Sequence, residues 1–266
     1  MLREITLGQY YPADSVLHSL DPRVKLFSTL VFIITLFAAN NVVLFAIVLV
    51  TLFGIIRMSH VPFSFMVKGL RSIVMLLIIA GLFNLFLTPG KTLVSFWIFS
   101  ISDVGLKNAV LMTSRMILLI IGTSILTLTT TPNQLTDGLE KSLGFLKRIG
   151  VPVHEISMMM SIALRFIPIL IEETDKIMKA QMARGADFET GGLIKKAKNM
   201  VPLLVPLFVS AFRRANDLSY AMEARCYNGG EGRTKMKPLQ YSSLDQRAYI
   251  CIGAYIIGFF VVKGIL

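Results

Sequence analysis

The chain has 266 residues, 54% of them hydrophobic, and a mean hydropathy of +0.68, which excludes an ordinary soluble domain and points to the bilayer. Charged residues still make up 16% and the formal net charge is +11, so lipid-embedded and aqueous parts share the sequence. The excess of Lys and Arg lies beside apolar runs without a nucleic-acid-binding motif; this argues against a nucleic-acid partner and follows the positive-inside bias.

Residues 1–23 read as a mixed lead-in that ends in Asp21-Pro22-Arg23 and lacks the apolar core of a cleavable signal peptide. Apolar runs follow at about 24–39 and 42–56, divided by Asn40-Asn41, a turn pair between antiparallel helices. The second run is short for a span, and Arg57 can extend it by snorkelling. Further runs cover about 69–88, ending at Thr88-Pro89-Gly90, about 108–129, ending before Thr131-Pro132, and about 248–265.

Arg3, Arg23 and Lys25 precede the first run, Arg57, Lys68 and Arg71 border the second connection, and the stretch 131–247 is dense in Lys and Arg. All of these fall on one side if the spans alternate. A multi-pass cytoplasmic-membrane protein is expected, with the N-terminus and the long basic segment in the cytoplasm and the C-terminus outside. Lys91 and Lys107 are exceptions in the outer loop, partly balanced by Asp103. Cys226 falls at a presumed cytoplasmic helix end and Cys251 in a span, so no disulfide framework is expected and a reduced compartment fits.

The segment 131–247 reads as three helices. The first starts at Thr131-Pro132, a capping residue followed by proline in the first turn, and stops near Gly150-Val151-Pro152. The second runs over about 153–184 to Gly185, and the third over about 192–226, before Asn228-Gly229-Gly230. Pro168 is expected to kink the second, and Pro202 and Pro206 the third. Their middles, 156–164 and 202–212, are apolar nearly all round, yet Arg165, Arg213, Arg214 and Asp217 interrupt them. They are expected to lie along the cytoplasmic membrane boundary rather than cross as a hairpin. The fold class is therefore all-α and polytopic, about five transmembrane helices plus three long kinked cytoplasmic helices. The domains are 1–130, the lead-in and four spans; 131–246, the cytoplasmic helices; and 247–266, the last span.

Two tripeptides, Ala183-Arg184-Gly185 and Ala224-Arg225-Cys226, end the second and third of these helices. An arginine there complements the helix dipole by about 0.3–1 kcal/mol, which is its plain structural reading. Two matched ends, each an arginine after alanine, suggest more. A guanidinium has five donors in a fixed fork and holds carboxylates or carbonyls of a partner groove better than lysine can. A pair of them suits bivalent docking to a two-lobed partner. Met158-Met159-Met160 reads either as core filler or as an adaptable apolar surface for exchangeable partners.

Motifs for catalysis or metal binding are lacking. Gly90-Lys91-Thr92 resembles the end of a phosphate-binding loop, but Leu85 stands where a glycine is required. His18, His60 and His154 have no metal-ligand spacing, and no G-x-S-x-G occurs. Asn84, deep in the third run, is expected to bond between helices, and Ala254 with Gly258 to support close helix packing. The near-absence of ionisable residues at mid-membrane argues against a self-sufficient carrier. An unrecognised membrane-embedded enzyme or a stand-alone carrier is the alternative.

The chain resembles the transmembrane T component of energy-coupling factor (ECF) transporters, a branch of the ATP-binding-cassette importers. The resemblance rests on residues 15–25, Thr131-Pro132 with Gly138-Leu139-Glu140, residues 162–168, 180–185 and 223–227. Cys226 departs from the family, which commonly has glycine at that position. The resemblance implies a non-catalytic subunit working with two cytosolic ATPases and a membrane-embedded, substrate-binding S component for vitamin or micronutrient uptake. ATP and Mg would sit on the ATPases and no cofactor on this chain. It further implies that Ala183, Arg184, Gly185, Ala224, Arg225 and Cys226 form the ATPase-coupling tips, with Pro168, Pro202 and Pro206 as hinges and Met158, Met159 and Met160 near the S component. The sequence looks more like a T component shared among S components than like one dedicated to cobalt or nickel.

Overall fold

The computed structural model describes residues 10–71, 73–89, 92–96, 99–188, 192–230, 236 and 238–265. Arg3, Gly90 and Lys91, singled out above, lie outside the described residues. The chain divides into two compact units, Gly8–Gly138 with Leu239–Leu266, and Leu139–Pro238.

The first unit holds α1 (Val16–Ser19), α2 (Pro22–Ala38), α3 (Val42–Ser59), α4 (Phe63–Arg71), α5 (Val74–Leu87), a hairpin of β1 (Thr92–Phe96) and β2 (Phe99–Ser102), α6 (Asp103–Thr129) and α10 (Ser243–Ile265). Helix α6 packs against α2, α3, α4 and α5. The core they share includes Leu36, Leu44, Val48, Met66, Ile125 and Phe259. At Gly122 any side chain would run into the Phe32 ring, so glycine is what lets α6 and α2 close on each other.

By length and hydropathy, α3, α6, α10 and Val153–Ala183 can each cross a membrane, and α4 with α5 forms a fifth, broken candidate bent by 65°. The chain is thus an all-α polytopic membrane protein carrying one short β-hairpin. Its candidate spans are not all the expected ones. The first run forms α2, whose 17 residues give about 26 Å, short of the roughly 30 Å hydrocarbon core. The run at 69–88 is divided: α5 has 14 residues, about 21 Å, and α4 precedes it as a separate helix. The expected outer loop contains the hairpin, rich in the β-branched and aromatic residues that strands favour. Its end is fixed by Ser102, whose hydroxyl accepts from Gly105 N–H to cap α6.

Polar residues close one end of this unit. Asp21 caps α2 through Arg23 N–H and takes a bidentate guanidinium pair from Arg23, with bonds of 3.0 and 2.9 Å. Asp21 N–H donates to the Asp245 carboxylate at 2.8 Å, which also accepts from Ser242, and Arg23 stacks 3.9 Å over the Tyr241 ring. Lys25 Nζ donates to the carbonyls of His18 and Thr129. A buried carboxylate of this kind persists because its lone pairs are filled. The arrangement ties the starts of α2 and α10 together.

Some expected packing takes another form. Asn84 donates to the Ala80 carbonyl one turn back in its own helix rather than across to a neighbour. Ala254 and Gly258 are exposed, and a Cβ at Gly258 would meet nothing within 4 Å, so among the described residues no helix lies against that face. Arg115, passed over in the sequence, lies within α6 and donates to the Ala39 carbonyl at 2.7 Å, the C-cap of α2.

The second unit is built on α8 (Val153–Ala183) and α9 (Leu193–Ala224). Helix α7 (Pro132–Ser142) starts in the first unit with a capping box: Gln134 N–H donates to Thr131 Oγ1, and Thr131 N–H to Gln134 Oε1. Instead of a long first helix, α7 stops after 11 residues and continues as a 3-10 segment, Leu143–Ile149. Ser142 and Gly144 are weak helix formers at that changeover. By length and composition alone, α8 also qualifies as a candidate span despite Arg165.

Candidate functional site

Both tripeptides end their helices by the same backbone device. After α8, Arg184 is the C-cap, Gly185 N–H donates to the Met182 carbonyl at 2.9 Å, and Ala186 N–H to Gln181 at 3.0 Å. After α9, Arg225 is the C-cap, Cys226 N–H donates to Glu223 at 2.8 Å, and Tyr227 N–H to Met222 at 3.0 Å. These are two Schellman motifs, each needing a left-handed residue directly after the arginine. Gly185 supplies it with φ 88°, and Cys226 with φ 54°. Both Arg184 and Arg225 are exposed, as are their alanine neighbours Ala183 and Ala224.

Each tip is braced by the neighbouring helix. Beyond Arg184, the Asp187 carbonyl accepts from Asn199 Nδ2 of α9 at 2.6 Å, and Gln181 Nε2 donates to the Pro202 carbonyl at 3.4 Å. Beyond Arg225, Gly230 packs so closely on His154, near the start of α8, that any side chain would collide with the ring. His154 Nδ1 in turn pairs with Glu140 Oε1 at 3.0 Å. A cavity of about 700 Å³ lies here, lined by Glu140, Lys141, Lys147, His154 and Tyr227 among others.

Helices α8 and α9 run antiparallel, for Gln181 meets Pro202 while Glu173 meets Arg214 at 3.1 Å. Arg184 thus lies near Pro202, and the run of α9 from Pro202 to Arg225 sets the tips on the order of 35 Å apart. Among the described residues an ion pair, Glu173–Arg214, joins the two helices; it is partly exposed and worth no more than about 1 kcal/mol.

The three prolines stand inside continuous helices, Pro168 in α8 and Pro202 and Pro206 in α9. Pro206 has no N–H to give to the carbonyl four residues back, which is that of Pro202. That carbonyl is the one Gln181 reaches, so a bond lost within α9 becomes a link between helices. The methionines divide: Met159 and Met160 are exposed, 57% and 44%, while half-buried Met158 lines the cavity beside His154. Among the described residues no group of three or more His, Cys, Asp or Glu could hold a metal.

Residues 13–236 match the CbiQ family, described as cobalt transport protein. The chain is 49% identical over 257 residues, 97% of both chains, to an energy-coupling factor transporter transmembrane protein, EcfT, of Thermosediminibacter oceani. It is 53% identical to the Clostridium kluyveri EcfT over 94% of both chains, and 46% identical to that of Bacillus subtilis over 95% of this chain and 96% of the relative. The chain belongs to the EcfT family. It is accordingly a membrane component of an energy-coupling factor transporter.

Several EcfT residues at the tips carry weak sequence signals. Gln181 and Asn199 look like ordinary polar helix residues, and only the missing amide of Pro206 hints that a carbonyl nearby needs a donor. Gly230 reads as turn filler, and its contact with His154 joins positions too distant in sequence to be paired by spacing.

Proposed function

We propose that this chain is the coupling subunit of an ATP-driven importer, transmitting motion of two cytosolic ATPases to a membrane-embedded S component that carries a vitamin or other micronutrient. The carrying observation is a pair of exposed arginines in the same capping geometry, on one antiparallel helix pair, on the order of 35 Å apart. Each arginine caps its own helix end, where a cation is favoured, and is exposed, so its donors are open to a groove of one ATPase. In this reading the N-terminus and α7–α9 face the cytoplasm and the C-terminus lies outside. ATP and Mg bind the ATPases, and this chain supplies no catalytic residue.

Closure of the ATPase dimer changes the separation of its two grooves, and the tips must follow or detach. Helices of this length carry that displacement to the exposed Met159 and Met160, which we assign to the S component's support, with Pro168, Pro202 and Pro206 as the points of flexure. A T component shared among several S components suits so plastic a surface.

The test is Arg184→Glu with Arg225→Glu in the assembled transporter. Each single change should weaken ATPase co-purification or uncouple hydrolysis from uptake, and the pair should abolish uptake. Wild-type assembly and uptake in the double variant would overturn the docking role. Pro168→Ala and Pro202→Ala should leave assembly intact and change the uptake rate; unchanged uptake in both removes the flexure role.

A further inference from the structure

We propose that the first unit holds a binding groove for an anionic phospholipid, with its acyl tail between α1, α2, α3 and α10 and its phosphate on Arg247. The groove measures about 390 Å³, within the range of small-ligand cavities. Val24, Val31, Ile55, Ile252 and other apolar side chains form its wall.

The polar groups along that wall are already satisfied from within the chain. Ser28 Oγ donates to the Lys25 carbonyl, Thr51 Oγ1 to Ile47, and Tyr255 Oη to Thr35 Oγ1. Arg247, one turn into α10, differs. It lines the groove, is exposed, and makes no hydrogen bond or ion pair with the described residues. The groove therefore matches an amphiphile with a long apolar tail and one anionic end.

Its position selects a lipid over a soluble anion. The lining comes from the start of α2, the end of α3 and the start of α10, so the groove lies at one end of the bundle. Arg57, in the last turn of α3, is exposed at that same end and adds positive charge. A tail pointing inward and a headgroup at the basic end is the natural placement of a phospholipid in the adjoining leaflet. A lipid here would also brace the end where Asp21 and Asp245 hold α2 to α10.

The experiment uses the full chain, alone or as it co-purifies with its partners, in neutral detergent. Bound phosphatidylglycerol and phosphatidylcholine of identical tails are compared by native mass spectrometry and by the thermal midpoint. The wild type should prefer phosphatidylglycerol roughly fivefold, the contribution of one basic residue at an anionic lipid surface. Arg247→Gln should remove most of that preference while tail binding persists. Ala248→Trp, placed in the groove wall, should lose both lipids.

Cys251 lies in the groove and offers a readout that does not depend on the fold of those variants. In Cys226→Ser, phosphatidylglycerol should slow maleimide labelling of Cys251 more than phosphatidylcholine does. Equal retention of both lipids by the wild type would overturn the proposal. So would an undiminished preference in Arg247→Gln, or Cys251 labelling indifferent to lipid, as expected if a partner's helix fills the groove. None of these readouts depends on ATPase docking, so the outcome leaves the coupling role untouched.

Discussion

The two helix tips share a capping motif and differ in how each is paid for. At Gly185 the left-handed turn is free of side-chain strain, and the following loop is held by polar bonds to α9. At Cys226 the same turn carries a Cβ, and the following loop is held by Gly230 packed on His154. Backbone geometry is thus the common requirement, and either contact chemistry can brace it. This also explains why a residue other than glycine is tolerated once the tip is held elsewhere.

The sharpest way to break the comparison is at Gly230. Gly230→Val should displace the loop after Arg225 and cost about 1–3 kcal/mol, as overpacking does elsewhere. The Arg184 tip should keep its geometry. Thermal unfolding should reveal the loss, and hydrogen exchange of each tip should show it confined to the Arg225 side. Equal weakening at both tips would mean that they are not braced independently.

Exchanging the turn residues should give opposite signs. Gly185→Ala places a Cβ at φ 88° and should destabilise by about 1–2 kcal/mol. Cys226→Gly removes that strain but frees the unfolded chain, a net gain of about 0.5–1 kcal/mol. Chemical denaturation of the detergent-solubilised protein distinguishes the two. A loss of stability in Cys226→Gly would show that the thiol makes a contact worth more than the strain.

The legible parts of the chain were those with local causes. Gly185 and the Asn228-Gly229-Gly230 run mark where α8 and α9 end, because a helix stop depends on one or two neighbouring residues. The apolar runs identify a polytopic helical protein for a similar reason. Where tertiary contacts decide, the sequence was less informative. Whether 69–88 is one helix or follows a bend, and whether Asn84 bonds inside its helix or outside, depend on what packs nearby. The pairing of Asp21 with Asp245 joins residues at opposite ends of the chain, and no periodicity points to it. Arg115 is different: a cation in an apolar run is a visible signal, and its partner at Ala39 is a backbone carbonyl that any sequence would supply.

Gln181 tests the polar brace. Gln181→Ala removes a donor from the Pro202 carbonyl at a partly exposed site, and should cost about 0.5–1.5 kcal/mol. Pro206→Ala should reduce the effect, because residue 206 regains an N–H able to serve the same carbonyl within α9. A double-mutant cycle in thermal unfolding measures this directly. Coupling between the two positions supports the shared carbonyl, and strict additivity removes it.

The smallest effect belongs to Glu173 and Arg214, whose 3.1 Å pair leaves the side chains 26% and 35% exposed. Solvent screening and the entropy of two long side chains hold such a pair to no more than about 1 kcal/mol. Reversing both charges, Glu173→Arg with Arg214→Glu, should therefore recover most of what either change loses. The same swap made in 0.5 M salt should show still less coupling, because screened charges lose their mutual attraction. Were the single variants to cost several kcal/mol instead, the contact would be acting as a buried latch between α8 and α9. Tip spacing would then be set by that one bond, and not by the braces beyond Arg184 and Arg225.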